Sequence, residues 1–126
     1  MKRVLLVGLG GAIGSILRYG LGTAVGRVKG ATQFPLETLT VNVLGCLFAG
    51  MLAGWAEARG PLTPELRAFL FVGILGGFTT FSAFGYETFG LFRDGLRGPG
   101  LASVALQLVL GVGAVWGGHA LIRGQG

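Results

Sequence analysis

Charged residues are scarce in this sequence. Only 12% of the 126 residues are charged, ten of them basic and five acidic, whereas soluble domains carry roughly 25% charged residues. The single cysteine, Cys46, excludes an internal disulfide and supplies no metal cluster. The sequence shows no nucleophile–base pair and no constellation of metal ligands, so we expect that the chain is not an enzyme.

Proline is absent from the long apolar segments. All four prolines lie between these segments, where they interrupt no helix: Pro35, Pro61, Pro64 and Pro99. The chain is 52% hydrophobic and contains 26 glycines. Glycine weakens helices in water, but it is common in membrane helices because it lets them approach closely.

This composition predicts an all-α integral membrane protein that forms one domain over residues 1–126. The apolar runs predict four spans, at about 4–25, 38–56, 68–92 and 100–122. The first run starts close to Met1 and lacks a small-residue cleavage pattern. We therefore expect it to be retained as a helix and not removed as a signal peptide.

The loops between these spans carry almost balanced positive charge. One side of the membrane receives five cations, Lys2, Arg3, Arg59, Arg67 and Arg123, and the other receives four, Arg27, Lys29, Arg93 and Arg97. Orientation normally follows an excess of Lys and Arg in the cytoplasmic loops. A balanced chain can insert both ways, which leads to the hypothesis of an antiparallel, dual-topology homodimer. Glycine pairs four residues apart offer helix contacts that favour a dimer: Gly10–Gly14, Gly22–Gly26, Gly50–Gly54, Gly73–Gly77 and Gly113–Gly117.

The third span contains a predicted helix break. The segment Gly76-Gly77-Phe78-Thr79-Thr80-Phe81-Ser82-Ala83-Phe84 lies within a charge-free run over residues 68–86. A glycine pair followed by two threonines favours a break, which a bilayer tolerates only where protein or a polar cavity satisfies the freed backbone groups. The carbonyls of Gly76 and Thr79 are candidates to hold a small hard cation such as Na⁺.

Two phenylalanines follow the predicted break on one helical face. Phe81 and Phe84 are three residues apart, and Ser82 lies beside them. Aromatic core packing explains such spacing, but the positive edges of the rings also suit a small, poorly solvated anion.

Other polar side chains within the spans each have two interpretations. Thr38 and Asn42 are one turn apart, and the amide can donate to an anion or to a neighbouring helix. Arg18 either snorkels to the membrane surface or draws anions toward a pore mouth. Ser103 and Gln107 are also one turn apart, and they either line a polar track or bind another helix.

The sequence pattern excludes nucleotides and nucleic acids as binding partners. Residues 7–14 imitate a dinucleotide-binding turn, but Ile13 occupies the place of the last glycine and no alternating strands and helices follow. The cations are scattered between apolar segments and form no basic stripe.

These motifs resemble the Fluc (CrcB-type) fluoride channels over the whole chain. The resemblance is carried by Gly10-Gly11-Ala12-Ile13-Gly14 with Arg18-Tyr19, by Thr38-Leu39-Thr40-Val41-Asn42-Val43-Leu44-Gly45, and by the residue 76–84 segment followed by Glu87. The resemblance implies an antiparallel homodimer in the inner cell membrane with two anion pores. It also implies a structural Na⁺ on the Gly76 and Thr79 carbonyls of both subunits.

The resemblance further implies a role for each candidate residue. Phe81, Phe84, Asn42, Ser82, Thr38 and Thr80 would form the anion pathway, Arg18 would lie near an aqueous vestibule, and Ser103 and Gln107 would form a possible polar track. The implied function is passive export of fluoride, which lowers its toxicity. The membrane potential would drive the export at about 2.3 kcal/mol per charge per 100 mV.

The chain departs from this family at two places. Ala83 stands where the family often has threonine, and the fourth span offers Ser103, Gln107 and Gly111 in place of a face of hydroxyls. Two alternatives compete with the channel. A small dual-topology multidrug exporter needs a carboxylate inside the membrane, where span 1 has Arg18 instead. A non-transporting accessory subunit would not need the broken third span.

Overall fold

The computed structural model describes residues 1–125, and all of its regular structure within that range is helical. Helices α1 (Lys2–Val28), α2 (Leu36–Arg59) and α6 (Arg97–Arg123) are each continuous, and a third span covers Pro64–Arg93. All four are long and apolar enough to cross a membrane. The predicted all-α membrane protein with four spans is therefore confirmed, and each predicted range lies inside one of these helices.

The third span is built from four pieces. It begins with α3 (Pro64–Arg67), continues as a π-helical segment (Ala68–Leu75), and reaches α4 (Gly76–Phe78) before α5 (Phe81–Arg93). Thr79 and Thr80 separate α4 from α5 with extended backbone, at φ −83°, ψ 156° and φ −149°, ψ 113°. The break predicted from the sequence therefore lies at these two threonines.

Helix α1 packs against the first half of the third span through backbone contact. A Cβ atom on Gly10 would come within 2.6 Å of the Phe69 carbonyl oxygen, and one on Gly77 within 2.5 Å of the Gly11 carbonyl oxygen. Gly14 is also buried in this contact. The absence of side chains on both helices lets α1 hold α4 and the π segment in place.

Helices α2 and α6 form a second closely packed pair. A Cβ atom on Gly54 would lie 2.9 Å from the His119 carbonyl oxygen, and one on Gly118 would lie 3.0 Å from the Met51 nitrogen. Gly50 is buried in the same contact. The glycine pairs at residues 10 and 14, 50 and 54, and 73 and 77 thus join helices of one chain, although the sequence argument used them in favour of a dimer.

Candidate functional site

The amide of Asn42 holds the helix break from α2. Its Oδ1 accepts from the Thr80 N–H at 2.9 Å, and its Nδ2 donates to the Thr80 carbonyl oxygen at 3.1 Å. Nδ2 also donates to Gln107 Oε1 on α6 at 3.1 Å. The orientation of the amide follows from these partners, because a backbone N–H can only donate. One side chain therefore ties α2, the break and α6 together.

In this arrangement the amide of Asn42 joins neighbouring helices, while its predicted role toward an anion stays a prediction. Both hydrogens of Nδ2 are used within the protein in this arrangement. The Thr80 N–H and C=O would otherwise lie unpaired in the membrane, where each unsatisfied backbone group costs several kcal/mol.

The threonine hydroxyls complete the local structure of the break. Thr80 Oγ1 accepts from the Ala83 N–H at 3.1 Å and so caps α5, and it lies 3.3 Å from Ser82 Oγ. Thr79 Oγ1 donates to the Leu75 carbonyl oxygen at 2.9 Å. The Thr80 hydroxyl therefore replaces a backbone acceptor for the Ala83 N–H, whereas the Thr79 hydroxyl adds a second donor to a carbonyl that already accepts from the Thr79 N–H.

Arg18 reaches the break from α1. Its Nε donates to the Gly77 carbonyl oxygen at 3.1 Å, and the Ser15 hydroxyl lies 3.5 Å from the same oxygen. The half-exposed side chain of Arg18 therefore contacts the break through its Nε. Ser15 was not among the residues predicted from the sequence.

Several carbonyl groups at the break have lost their helical partners, and those of Gly76 and Thr79 are among them. The N–H that would bond the Gly76 carbonyl in a continuous helix belongs to Thr80, and it donates to Asn42 Oδ1 instead. The Thr79 carbonyl follows extended backbone at the end of α4. No group of three or more His, Cys, Asp or Glu side chains within residues 1–125 is arranged to hold a metal ion. Backbone carbonyl oxygens are ligands of a kind that hard cations prefer.

Phe81 and Phe84 form an edge-to-face pair directly after the break. Their ring centroids are 5.4 Å apart with an interplanar angle of 62°, and Phe81 is 82% exposed in the single chain. Such exposure shows that Phe81 does not belong to the packed core of the single chain. The exposed ring edges carry positive electrostatic potential.

A polar cavity of about 400 Å³ lies between α1, α2 and α5. Arg18, Glu37, Thr38, Thr80 and Glu87 are among its lining residues. Thr38 Oγ1 donates to Glu87 Oε1 at 2.8 Å, whereas Glu87 Oε2 is buried and has no hydrogen-bond partner within residues 1–125. Sequence reasoning did not include Glu87 among the site residues. Its spacing of four residues from Ala83, which lines the same cavity, places both on one face of α5, and this spacing is a usable signal.

The two polar residues of α6 have different partners. Ser103 is 1% exposed, and its hydroxyl lies 3.3 Å from Thr88 Oγ1 on α5. Gln107 bonds Asn42 through Oε1, whereas its Nε2 is buried without a partner among the described residues. The structure brings Gln107 to the break and places Ser103 against α5.

Comparison with known proteins identifies the family. The sequence profile of the family described as CrcB-like protein, Camphor Resistance (CrcB), matches residues 5–119. A protein of Methylobacillus flagellatus named fluoride-specific ion channel FluC is 49% identical over 123 residues, 98% of this chain and 96% of that relative. A protein of the same name from Thermus thermophilus is 47% identical over 96% of this chain and 95% of its own length. Another from Rhodospirillum centenum is 46% identical over 98% of this chain and 97% of its own length.

The names of these relatives describe channels, which confirms the prediction that the chain is not an enzyme. The profile and the relatives cover nearly the whole chain, including the break, the phenylalanine pair and Asn42. This chain belongs to the CrcB-like protein family.

Proposed function

We propose that this chain forms a fluoride-selective channel that exports fluoride passively from the cytoplasm. The observation that carries the proposal is the amide of Asn42, which fixes extended backbone at Thr80 in a membrane span beside the aromatic pair that contains the exposed Phe81. Relatives at up to 49% identity are named as fluoride-specific ion channels, which supports fluoride as the ion.

The proposed anion pathway runs from the polar cavity to the phenylalanine pair. Fluoride enters beside Arg18 and Thr38, passes the hydroxyls of Thr80 and Ser82, and continues along the edges of Phe81 and Phe84. These groups replace the hydration of a small anion in a narrow path, where chloride fits less well.

Two amides form the wall of this pathway at the break. Asn42 keeps the wall in position, and Gln107 contributes an Nε2 group that is buried with no partner in the part of the chain that the structure describes. A buried donor without a partner is costly, and an anion would satisfy it. Ser103 lies one turn before Gln107 on α6, with its hydroxyl against Thr88 Oγ1. We propose that it extends the polar track from Gln107.

We infer that Gly76 and Thr79 hold a structural Na⁺ with their backbone carbonyls. The Gly76 carbonyl has lost its helical N–H partner, and Gly76 is exposed in the single chain, so a second copy can approach it. Two oxygens are few for a hard cation, and two more from a second copy would bring the number of backbone ligands to four. The ion would supply a positive charge that compensates the carbonyl dipoles at the subunit contact.

The proposed assembly is an antiparallel homodimer of dual topology in the inner cell membrane. Gly76 and Phe81 are exposed at the middle of the third span, so one copy encloses neither the cation site nor the pore. The balanced loop charges allow both orientations in one membrane. An isologous contact would place two breaks face to face.

The proposed channel lowers fluoride toxicity without an energy source. Hydrogen fluoride crosses membranes as a neutral acid and releases fluoride in the more alkaline cytoplasm. A negative-inside potential drives the anion out at about 2.3 kcal/mol per charge per 100 mV.

Fluoride release from proteoliposomes tests this function. Purified protein is reconstituted into liposomes loaded with potassium fluoride, and valinomycin is added to start efflux that a fluoride electrode records. Chloride-loaded liposomes with a chloride electrode and protein-free liposomes are the controls. The proposal expects rapid fluoride efflux with negligible chloride efflux, and protein that releases neither ion or both ions equally contradicts it.

A further inference from the structure

An ion pair links the end of α1 to the start of α2. Lys29 Nζ lies 2.7 Å from Glu37 Oε1 and 2.9 Å from Glu37 Oε2, so the ammonium group contacts both carboxylate oxygens. The side chains are 19% and 30% exposed, in contrast to the Arg93–Asp94 pair on the same side of the membrane, at 61% and 55%. Lys29–Glu37 is thus the more enclosed of these two pairs.

The neighbouring backbone makes room for this pair. Gly26, in the last turn of α1, has no side chain where a Cβ atom would lie 3.2 Å from Glu37 Oε1. The lysine follows the C-terminus of α1, and the glutamate occupies the first turn of α2. Both positions are favourable for these charges in the fields of the two helices. The pair is therefore held in place by more than its mutual attraction.

Glu37 also lines the polar cavity through which the proposed pathway begins. Glu87 lines the same cavity and has a buried oxygen without a partner within residues 1–125. Arg18 is the cation among the lining residues, and its Nε is bonded to the Gly77 carbonyl oxygen. Two carboxylates therefore face the cavity, and only Lys29 compensates the charge of Glu37 through a direct ion pair among the described residues.

We propose that Lys29 determines the rate of anion entry by neutralising Glu37 at the mouth of this cavity. This inference rests on the proposed fluoride channel. A carboxylate without its counter-ion repels anions and lowers their local concentration in a cleft with low-dielectric walls. Lys29 acts through Glu37 and belongs to the entrance, whereas ion selectivity depends on the pathway beyond it.

Three variants test the proposal through fluoride efflux per reconstituted protein. At about 10 mM ionic strength, Lys29→Met lowers efflux roughly two- to fivefold, and Glu37→Gln raises it by up to about twofold. The double variant Lys29→Met/Glu37→Gln returns efflux to within about twofold of the wild type, because these two positions together again carry no net charge. Arg93→Met is the matched control, since it removes a cation from an exposed pair outside the cavity, and its efflux stays at the wild-type level.

Ionic strength separates this electrostatic effect from a structural one. With potassium gluconate at about 1 M on both sides, the Debye length falls from about 30 Å to about 3 Å, and Lys29→Met approaches the wild-type rate. Size-exclusion chromatography and thermal melting confirm that each variant is folded. If Lys29→Met misfolds, Glu37→Gln alone tests the sign of the effect.

Several results would overturn the proposal. Lys29→Met with wild-type efflux at low ionic strength, a defect that persists in high salt, or an efflux from Glu37→Gln no higher than wild type each contradicts it. Wild-type protein that carries no fluoride refutes the proposed function instead, and this result is distinct from a conducting wild type with unaffected entrance variants.

Discussion

Substitution of Asn42 by leucine provides the sharpest test of how the helix break is held. Leucine has the same branching and the same number of heavy atoms as asparagine, with larger methyl groups at the tip, but it can make none of the three hydrogen bonds of the amide. The change leaves the N–H and C=O of Thr80 and the Oε1 of Gln107 without these partners.

The structure sets the size of the expected loss. Hydrogen bonds between membrane helices contribute about 0.6 kcal/mol each on average, so three bonds give a lower value of about 2 kcal/mol. If the two Thr80 backbone groups find no new partner, each instead costs about 1–3 kcal/mol, so that these two groups alone cost up to about 6 kcal/mol. We therefore expect Asn42→Leu to lower the free energy of unfolding by about 2–6 kcal/mol.

Unfolding in mixed detergent micelles, followed by circular dichroism, measures this difference. Thr40→Val is the matched control, because Thr40 lies on the same helix and takes part in no side-chain hydrogen bond found within residues 1–125. Thr80→Val adds a second comparison, since it removes the cap of α5 and retains the backbone bonds to Asn42, with an expected cost of about 1 kcal/mol.

A loss for Asn42→Leu no larger than that for Thr40→Val would refute the reasoning. That result would mean that the break keeps its conformation without the amide. A loss that exceeds the effect of Thr80→Val supports the amide as the main support of the break.

Three further predictions concern packing and the pathway. Gly14→Val lowers the free energy of unfolding by at least about 1–3 kcal/mol in the same assay, because the new side chain meets the backbone of the third span. The control Gly8→Val changes this free energy little, since nothing lies within 4 Å of its Cβ position. Phe81→Ile lowers fluoride efflux about two- to tenfold by removing the ring edges, and unchanged efflux would exclude the ring from the pathway. Arg18→Met costs about 1.5–3 kcal/mol of stability by freeing a carbonyl at the break, and an equal effect of the exposed Arg27→Met would contradict that role.

The main architecture was predictable from the sequence, since apolar runs and proline positions give the four spans. The break was also predictable, because Gly76, Gly77, Thr79 and Thr80 interrupt a charge-free run. Both features depend on local composition, because a span must be apolar to lie in the lipid and can break only where its freed backbone groups find partners.

The π-helical segment over Ala68–Leu75 was not predictable in this way. Its sequence is a continuous apolar run with nothing that separates a π from an α conformation. The segment lies against α1, where Gly10 and Gly73 bring the two backbones together. Wide helical turns of this kind depend on such tertiary contact, and they are frequent at functional sites.

The partners of the polar residues were also beyond the sequence. Asn42 is separated from Thr80 by 38 positions and from Gln107 by 65, so only the fold decides between its two possible roles. Glu87 is separated by 49 positions from Thr38, which donates to its carboxylate and lines the same cavity. Helical spacing shows which residues share a face, but it does not show which helix that face meets.

The reversal potential of the current through the reconstituted protein tests the central claim most directly. Planar bilayers are bathed in a tenfold gradient of fluoride with equal chloride on both sides, and the pH is then changed on one side. A passive fluoride channel reverses near 59 mV, the value for a single charge and a tenfold gradient, and the pH change leaves this potential unaltered. A reversal potential near zero, or one that follows the proton gradient, would contradict fluoride-selective passive conduction.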